Sequence, residues 1–360
     1  MFRMFKIIYK SILKELFITF LLILAFLNSI LMMEKILKLS RVLSGIGTTV
    51  SDMARIIFYL QPQLLILTIP MALLLAPIVV YGRMTMDNEI IILKASGMSF
   101  SKITLPVMLL TFTGFLLSVA FSFYLAPKSS FKLKNEVARI IAVKAALAIE
   151  AGTFNTSLKD LVVLVRGKNS SDVLEDIFIY DSRSKEEPKI LMAKEGRLLM
   201  ENDFTLGLYL NNGYINLIKG NSIIELFFDR YKFTMNLASN IPALQKFELT
   251  PLELLSKAKQ TTDKKERISF FLEFHRRLTL PVVCLVLTFL ASPLALMSGK
   301  SGKLLGLTIG LLVFTVYYVF QIYSENLAMK AQIPHYAGGW STTVLLGILG
   351  FYLYWKESVR

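Results

Sequence analysis

Residues 56–82 read IIFYLQPQLLILTIPMALLLAPIVVYG and contain no Asp, Glu, Lys or Arg. An α-helix rises about 1.5 Å per residue, so roughly 20 apolar residues cross the hydrocarbon core of a bilayer. The stretch has 27 residues and lies between two arginines, Arg55 and Arg83. Its length and composition predict a transmembrane helix, and this prediction decides the fold class of the chain.

Five more charge-free stretches occur, at residues 16–33, 103–127, 278–299, 304–324 and 331–355. The 360 residues are 54% hydrophobic and only 18% charged, with a mean hydropathy of +0.56, whereas soluble domains carry about 25% charged residues. We predict an α-helical integral membrane protein with six transmembrane helices, three on each side of a long polar segment. The first stretch exceeds the roughly 7–15 apolar residues of a signal peptide, so we expect it to be retained.

The formal net charge of +14 would also suit a nucleic-acid-binding protein. Many of the lysines and arginines, however, lie at the edges of apolar stretches, where the membrane explains them. With the N-terminus inside, the cytoplasmic segments hold eleven Lys and Arg against five in the short external loops. This bias predicts that both termini are cytoplasmic, that residues 128–277 are external and that nucleic acid is not a partner.

The external segment has helical, charged spacing at both ends and short β-type runs between them, at residues 161–167, 174–182, 188–202, 204–220 and 222–237. Turn signals at Asn211-Asn212-Gly213 and Gly220-Asn221 punctuate the runs. Short strands at this spacing predict an all-β antiparallel sandwich or open barrel. No His occurs between residues 128 and 274, which excludes a Ser-His-Asp site there. We therefore expect a binding or scaffolding domain.

The chain offers little chemistry of its own. One Cys and two His are too few for the usual metal-ligand sets. Gly299-Lys300-Ser301 resembles the end of a phosphate-binding loop, but Leu294 stands where that motif needs its first Gly. We therefore expect no catalytic site, metal or bound cofactor in this chain, and any ATP and Mg²⁺ to be used by a partner subunit.

None of the six predicted spans carries an acidic or basic side chain. Ionisable residues within the membrane are typical of proton relays and ion-coupled transport sites. Their absence argues against a proton-driven transporter and favours an apolar cargo, such as a lipid or a lipid-linked molecule.

The half-polar stretch between the second and third spans, residues 81–99, reads YGRMTMDNEIIILKASGMS. Asp87 and Glu89 suit the first turn of a helix, where acidic groups oppose the helix dipole. Apolar residues recur at helical spacing, at Met86, Ile90 and Leu93. We predict a short amphipathic cytoplasmic helix at about residues 84–97. It either rests on lipid or docks in a groove of a nucleotide-binding subunit.

This stretch resembles the LptF/LptG permease family of the lipopolysaccharide ABC exporter, also called the YjgP/YjgQ family. The C-terminal pattern EFHRRLTLPVVCLVLTFLASPLALMSGKSGKLLGLTIGLL (273–312) resembles the family too, as does the layout of three spans, a soluble domain and three spans. The resemblance covers essentially the whole chain. The step Pro293-Leu294 followed by Gly302-Lys303 looks closer to the LptF branch.

The resemblance implies a permease subunit of the bacterial inner membrane without an ATPase site of its own. Such a subunit pairs with a second LptF/LptG-type permease and binds a dimeric, LptB-like ABC ATPase. Together they extract lipopolysaccharide from the inner membrane and pass it to LptC/LptA-like jellyroll bridge proteins toward the outer membrane. The external domain is then a periplasmic β-jellyroll.

The resemblance also implies roles for particular residues. The coupling-helix glutamate of the family matches Glu89, and the residues expected to act with it are Arg83, Asp87, Ile90 and Leu93. Basic residues near the outer end of the first span meet the acidic glycolipid head in the family. The nearest positions here are Lys35, Lys38 and Arg41, for which a solvated loop face is the alternative.

Three domains are therefore expected: residues 1–127 with spans one to three and the coupling helix, the periplasmic domain 128–277, and residues 278–360 with spans four to six. Two other functions stay open. A permease of another lipid or lipoprotein ABC exporter is one, although those related in mechanism usually have four spans. A membrane-anchored envelope scaffold is the other, although a scaffold needs neither a docking helix nor six spans.

Overall fold

The computed structural model of the chain describes residues 2–43, 49–147, 152–155, 160–168, 173–183, 188–202, 205–219, 222–236, 245–298 and 303–359. The described chain divides into two compact units. One, here called the helical unit, comprises Met1–Lys35, Leu60–Ser130 and Gln245–Arg360. The other, the sheet unit, comprises Ile36–Tyr59 and Phe131–Leu244.

Ten α-helices occur in the described residues: α1 (Phe2–Leu43), α2 (Val50–Met86), α3 (Glu89–Ala95), α4 (Phe100–Ala120), α5 (Ala126–Leu147), α6 (Gln245–Glu248), α7 (Pro251–Gln260), α8 (Lys264–Ser298), α9 (Lys303–Met329) and α10 (His335–Val359). A π-helical turn, Phe121–Leu125, joins α4 to α5. The helices extend beyond the charge-free stretches and include charged residues at their ends.

Five helical segments of the described chain are long and apolar enough to cross a membrane: Ile7–Leu39, Val50–Met86, Phe100–Ile140, Lys264–Met297 and Gly306–Met329. The predicted sixth span falls on α10, which has 25 residues but is less apolar in its first half. Gly338 and Gly339 lie there, and a Cβ atom on them would come within 2.5 Å of Ala328 and 2.6 Å of His275. The small residues that dilute the hydropathy of α10 therefore allow its close approach to α8 and α9.

The core of the helical unit is built around α2. In the most apolar 18-residue stretch of α2, 72% of the residues are buried, whereas 11% are buried in the most apolar stretch of α1. Ala72, Leu73 and Leu74 are fully buried. The stretch that decides the fold class is therefore the central helix of its unit, whereas α1 lies at the periphery.

The sheet unit contains one antiparallel sheet, whose described strands are β1 (Phe154–Asn155), β2 (Leu161–Lys168), β3 (Val173–Asp181), β4 (Lys189–Asn202), β5 (Thr205–Lys219) and β6 (Ser222–Asn236). The strands follow one another in sequential order. The five predicted β-type runs match β2–β6 to within one residue at either end. The prediction of an all-β antiparallel segment is therefore confirmed at this level.

One predicted turn is wrong. Asn211-Asn212-Gly213 lies inside β5, where Asn211 pairs with Glu195 and Gly213 pairs with Ala193. Asn212 has a left-handed φ of 53°, which Asn tolerates better than most residues, so the strand bends and continues. The second turn signal, Gly220-Asn221, lies outside the described residues, and Lys219 and Ser222 on either side of it pair with each other.

The sheet curls upon one of its faces. Buried side chains of that face form a core with Val163, Val165, Ile177, Ile179, Leu191, Leu208 and Leu210 among its members. Although β3 and β6 are not neighbours in the sheet, Arg183 beyond the end of β3 lies 4.9 Å from the ring centroid of Phe233 and donates to the Thr234 carbonyl at 3.2 Å. The described strands thus form a curled meander; a jellyroll would need Greek-key connections in addition.

Arg183 also pairs with Asp181, whose carboxylate it contacts at 2.8 and 2.7 Å. Burial alone would raise the pKa of Asp181, but the hydrogen bonds and charge of Arg183 outweigh it and hold the pKa below its ordinary value. The pair therefore stabilises the curled sheet at neutral pH.

We predict that Arg183→Ala lowers the stability of the sheet by roughly 2–4 kcal/mol, because it leaves a buried carboxylate without its cation. Proteolysis of the detergent-solubilised full chain in increasing urea measures this change. The loss of stability relative to wild type should be at its full size above about pH 4, the ordinary pKa of Asp. It should shrink as the pH falls through the lowered pKa of Asp181 in the folded state. Arg166→Ala is the matched control, since its ion pair with Asp176 is exposed and 3.8 Å long; an equal loss in both variants would contradict the prediction.

Candidate functional site

The predicted cytoplasmic helix is shorter than expected and follows directly on α2. Residues 84–86 belong to the last turn of α2, and the Thr85 hydroxyl donates to the Tyr81 carbonyl at 2.7 Å as it would inside a helix. Asn88 then takes a left-handed conformation with a φ of 59°, and α3 begins at Glu89. The predicted helix at 84–97 is therefore corrected to the end of α2, a turn and seven residues of α3.

The apolar side chains of α3 divide between two faces. Ile90 is only 3% exposed, and Leu93 packs against the core of the helical unit. Both residues therefore anchor α3 to its own bundle. Ile91 and Ile92 are 59% and 64% exposed, so these two are the apolar groups that α3 presents outward. The sequence indicates this division, because the three consecutive isoleucines at 90–92 cannot all lie on one face of a helix.

Arg83 connects three helices at this site. Its guanidinium contacts the Glu15 carboxylate of α1 at 2.9 and 2.8 Å. Its Nη1 atom contacts Asp87 at 3.0 Å and Glu89 at 2.9 Å. Among these four groups, one cation faces three carboxylates. The cluster therefore carries excess negative charge, and Glu89, although 41% exposed, is already paired within its own chain.

The other end of α3 is held by the C-terminal helix. Lys94 pairs with Glu357 of α10 at 3.1 Å, and its ammonium lies 5.7 Å from the ring centroid of Phe100. Next to it, the hydroxyls of Tyr354 and Thr104 are 3.0 Å apart. Since α3 is fixed at both ends, a displacement of this short helix would be transmitted to α1 through Glu15 and to α10 through Glu357.

A second cluster lies at the opposite end of the bundle and lines a pocket of about 260 Å³, here called the Arg276 pocket. Arg276 of α8 pairs with Glu325 of α9 and with Glu273 at 3.5 Å. Arg277 contacts Glu273 at 3.4 Å and donates to the carbonyls of Lys246 and Phe247. Sequence reasoning missed this cluster, because its charged residues lie just beyond the charge-free stretches and are far apart in the chain.

The three predicted head-group residues have different outcomes. Lys35 lines the Arg276 pocket. Lys38 is exposed on α1, and the side chain of Arg41 lies outside the described residues. Gly299-Lys300-Ser301, the fragment that resembles a phosphate loop, also lies outside them. The described structure thus brings one of the three basic residues into a pocket.

The family described as lipopolysaccharide export system permease LptF/LptG matches residues 10–356. The chain belongs to this family. An uncharacterized protein of Rickettsia prowazekii (strain Madrid E) is 26% identical over 319 residues, which cover 84% of this chain and 86% of that protein. The lipopolysaccharide export system permease protein LptF of Escherichia coli K12 is 20% identical over 323 residues, covering 88% and 83%. The same identity and coverage are found for LptF of Shigella flexneri.

The predicted LptF/LptG family is thus confirmed, and the permease class agrees with the apolar helices. Within this LptF/LptG chain, the Arg83 cluster gives α1, α2 and α3 a common ionic attachment. Arg83 is 30% exposed, Glu15 38% and Glu89 41%, so solvent weakens each pair considerably. The cluster therefore contributes little to the free energy of unfolding, and its main effect is to hold α3 in one orientation.

We predict that Arg83→Gln loosens α3, because Glu15, Asp87 and Glu89 then repel each other without a cation. Partly exposed ion pairs contribute up to about 1 kcal/mol each, so amide hydrogen exchange of residues 89–96 should become roughly five- to thirtyfold faster. Lys102→Gln, which removes an exposed charge in the first turn of α4, is the control. Unchanged exchange in Arg83→Gln would show that packing of Ile90 alone orients α3.

Proposed function

We propose that the chain is a permease subunit of an ATP-driven ABC exporter that extracts lipopolysaccharide from the inner membrane and delivers it toward the outer membrane. The observation that carries the proposal is the family match over residues 10–356. In this proposal α10 is the sixth span, both termini are cytoplasmic, and the curled sheet is part of a periplasmic jellyroll-like domain. The expected partners are a second LptF/LptG-type permease, an LptB-like ATPase dimer and LptC/LptA-like bridge proteins.

α3 is the proposed docking element for the ATPase. Its outward face carries Ile91 and Ile92, and Asp87 and Glu89 lie beside them with 53% and 41% of their side chains exposed. A groove with an apolar floor and basic residues at its rim would complement this surface, since three carboxylates share only Arg83. A basic partner group that binds Glu89 would compete with Arg83. Arg83 would then pair more strongly with Glu15, which belongs to α1.

Lipopolysaccharide is the proposed cargo because it combines acyl chains with an acidic head. Lys35, Lys38 and Arg41, near the outer end of the first span, are proposed to contact that head. The LptF protein of Escherichia coli, which this chain resembles at 20% identity, is named for lipopolysaccharide export. The spans, free of charged residues over their central stretches, suit the acyl chains.

We predict that Ile92→Asp abolishes co-purification with the cognate ATPase, because it places a charge in the apolar centre of the docking face. Glu89→Arg should do the same by reversing a charge of that face. Both variants should still insert in the membrane. Leu252→Asp is the matched control, since Leu252 is 79% exposed on α7, on the external side in this topology; retained association of Ile92→Asp would reject the docking role of α3.

Topology gives a separate prediction. Cys284 is the only cysteine and is buried, so Cys284→Ser provides a cysteine-free background. In intact spheroplasts, a membrane-impermeant maleimide should label Asp229→Cys on β6 and spare Ser96→Cys beside α3, both of which are exposed positions. The reverse pattern would invert the proposed orientation and reject a cytoplasmic docking site.

A further inference from the structure

We propose that His275, His335 and Trp340 form a pH-sensitive latch, which attaches the first turns of α10 to α8 only while both imidazoles are neutral. Two hydrogen bonds in a row join the three side chains. Acidification opens the latch and releases this end of α10 from α8. The latch does not depend on which molecule is exported.

Trp340 fixes the direction of both hydrogen bonds. Its indole Nε1–H can only donate, and it lies 3.3 Å from Nδ1 of His275. Nδ1 of His275 is therefore an acceptor, and the proton of this neutral ring is on Nε2. That Nε2–H donates to Nδ1 of His335 at 3.0 Å. His335 is therefore neutral as well, with its own proton on Nε2.

An additional proton is incompatible with this arrangement, because an imidazolium has a donor on both nitrogens. A proton on Nδ1 of His275 would face the indole N–H of Trp340. A proton on Nδ1 of His335 would face the Nε2–H of His275. If His275 then moved its proton to Nδ1, the conflict would only pass to Trp340. In each case two N–H groups point at each other and one hydrogen bond is lost.

The charges around the latch do not favour a protonated imidazole. On α8, the exposed guanidinium of Arg267 carries a positive charge that opposes a second one on His335. On α9, the carboxylate of Glu325 is engaged by Arg276, and on α10 the ring of Tyr336 lies 5.8 Å from that of His335. Each imidazole is a titratable neighbour of the other. Among the described residues, no carboxylate forms an ion pair with either ring.

Packing at the latch directs the strain of protonation to the contact between the helices. Phe271 stacks on His335 with ring centroids 4.4 Å apart. Its face attracts a cation, but it relieves neither N–H conflict. A Cβ atom on Gly339 would come within 2.6 Å of the Cβ atom of His275, so the helices leave little room for the rings to move apart. On its other side, α10 stays attached to α9, since Gln321 donates to the Gly339 carbonyl at 3.2 Å.

α10 connects the latch to α3. The helix is continuous from His335 to Val359, and Glu357 near its other end pairs with Lys94 of α3 at 3.1 Å. A shift of the released end would therefore reach the pair that holds α3. This last step rests on the proposed docking role of α3, and it would make coupling to the ATPase respond to acidity on the other side of the membrane.

The composition of the chain allows a direct test, because it has two Trp and two His. In Trp355→Phe, the remaining Trp340 reports on the latch of the full-length chain in nanodiscs of phosphatidylglycerol and phosphatidylethanolamine. Protonated imidazole quenches a neighbouring indole, so the fluorescence should fall between about pH 7.5 and pH 5. The midpoint should lie below about 6.5, the ordinary pKa of His, because closure opposes protonation.

His275→Asn in this background is the matched variant. It keeps an oxygen that accepts from Trp340 but removes the titrating ring, so the transition should disappear. Tyr336→Phe, which removes an exposed hydroxyl beside the latch, should leave the transition in place. A transition that persists in His275→Asn, or none in Trp355→Phe alone, would overturn the proposal.

Hydrogen exchange tests the release itself. After correction for the intrinsic effect of pH, amides of residues 339–343 should exchange roughly three- to tenfold faster at about pH 5.5 than at about pH 7.5, since one hydrogen bond of the latch is lost. The double variant of His275→Asn and His335→Asn has no His that titrates in this range, and its corrected rates should be equal. Equal corrected rates in the wild type would overturn the latch, because a merely structural contact does not depend on pH.

The same data separate the latch from the export proposal. Faster exchange of residues 89–96 at low pH, in the wild type and not in the double variant, would support the connection to α3, and unchanged exchange there would reject that connection. Failure to bind an ATPase would reject the exporter, whereas the pH transition of Trp340 would still support the latch.

Discussion

One guanidinium, that of Arg83, sets the geometry of the end of the helical unit that carries α3. It contacts Glu15, Asp87 and Glu89 at distances of 2.8–3.0 Å, and these belong to α1, to the turn after α2 and to α3. A single cation shared by three carboxylates cannot satisfy all of them equally, so a basic group that takes Glu89 strengthens the hold of Arg83 on the others. The position of α3 and the position of α1 are therefore linked electrostatically before any partner binds.

The membrane imposes the second constraint. Apolar side chains occupy the central parts of the candidate spans, and charged groups occur in pairs toward their ends, such as Arg276 with Glu325 and Arg139 with Glu136. Pairing is required there because an isolated ion in a dry environment is far less stable than the same ion in water. The two clusters differ in consequence: the Arg83 cluster is partly exposed and carries excess negative charge, whereas the Arg276 cluster lines a pocket whose side chains include one more cation than carboxylates.

The sequence predicts some parts of this structure well. Strands β2–β6 and five candidate spans follow from periodicity and hydropathy, which are local properties. α10 does not stand out by hydropathy, because the glycines that lower its hydropathy serve close packing. The inner and outer faces of α3 depend on the left-handed turn at Asn88, which packing selects. The Arg276 pocket could not be predicted, because Arg276 and Glu325 are 49 residues apart and only the pairing of α8 with α9 brings them together.

The left-handed Asn212 has a counterpart in Asp176 of β3, with a φ of 51°. The pairing register places both of them beside Lys194 of β4, one on each side. The two left-handed residues, Asp176 and Asn212, therefore lie on one line that runs across β3, β4 and β5. We expect these two positions to add to the curvature of the sheet, because a residue in the left-handed conformation turns its strand out of the extended direction. A relative whose residues at these two places disfavour positive φ would be expected to carry a flatter sheet, even if every core residue were the same.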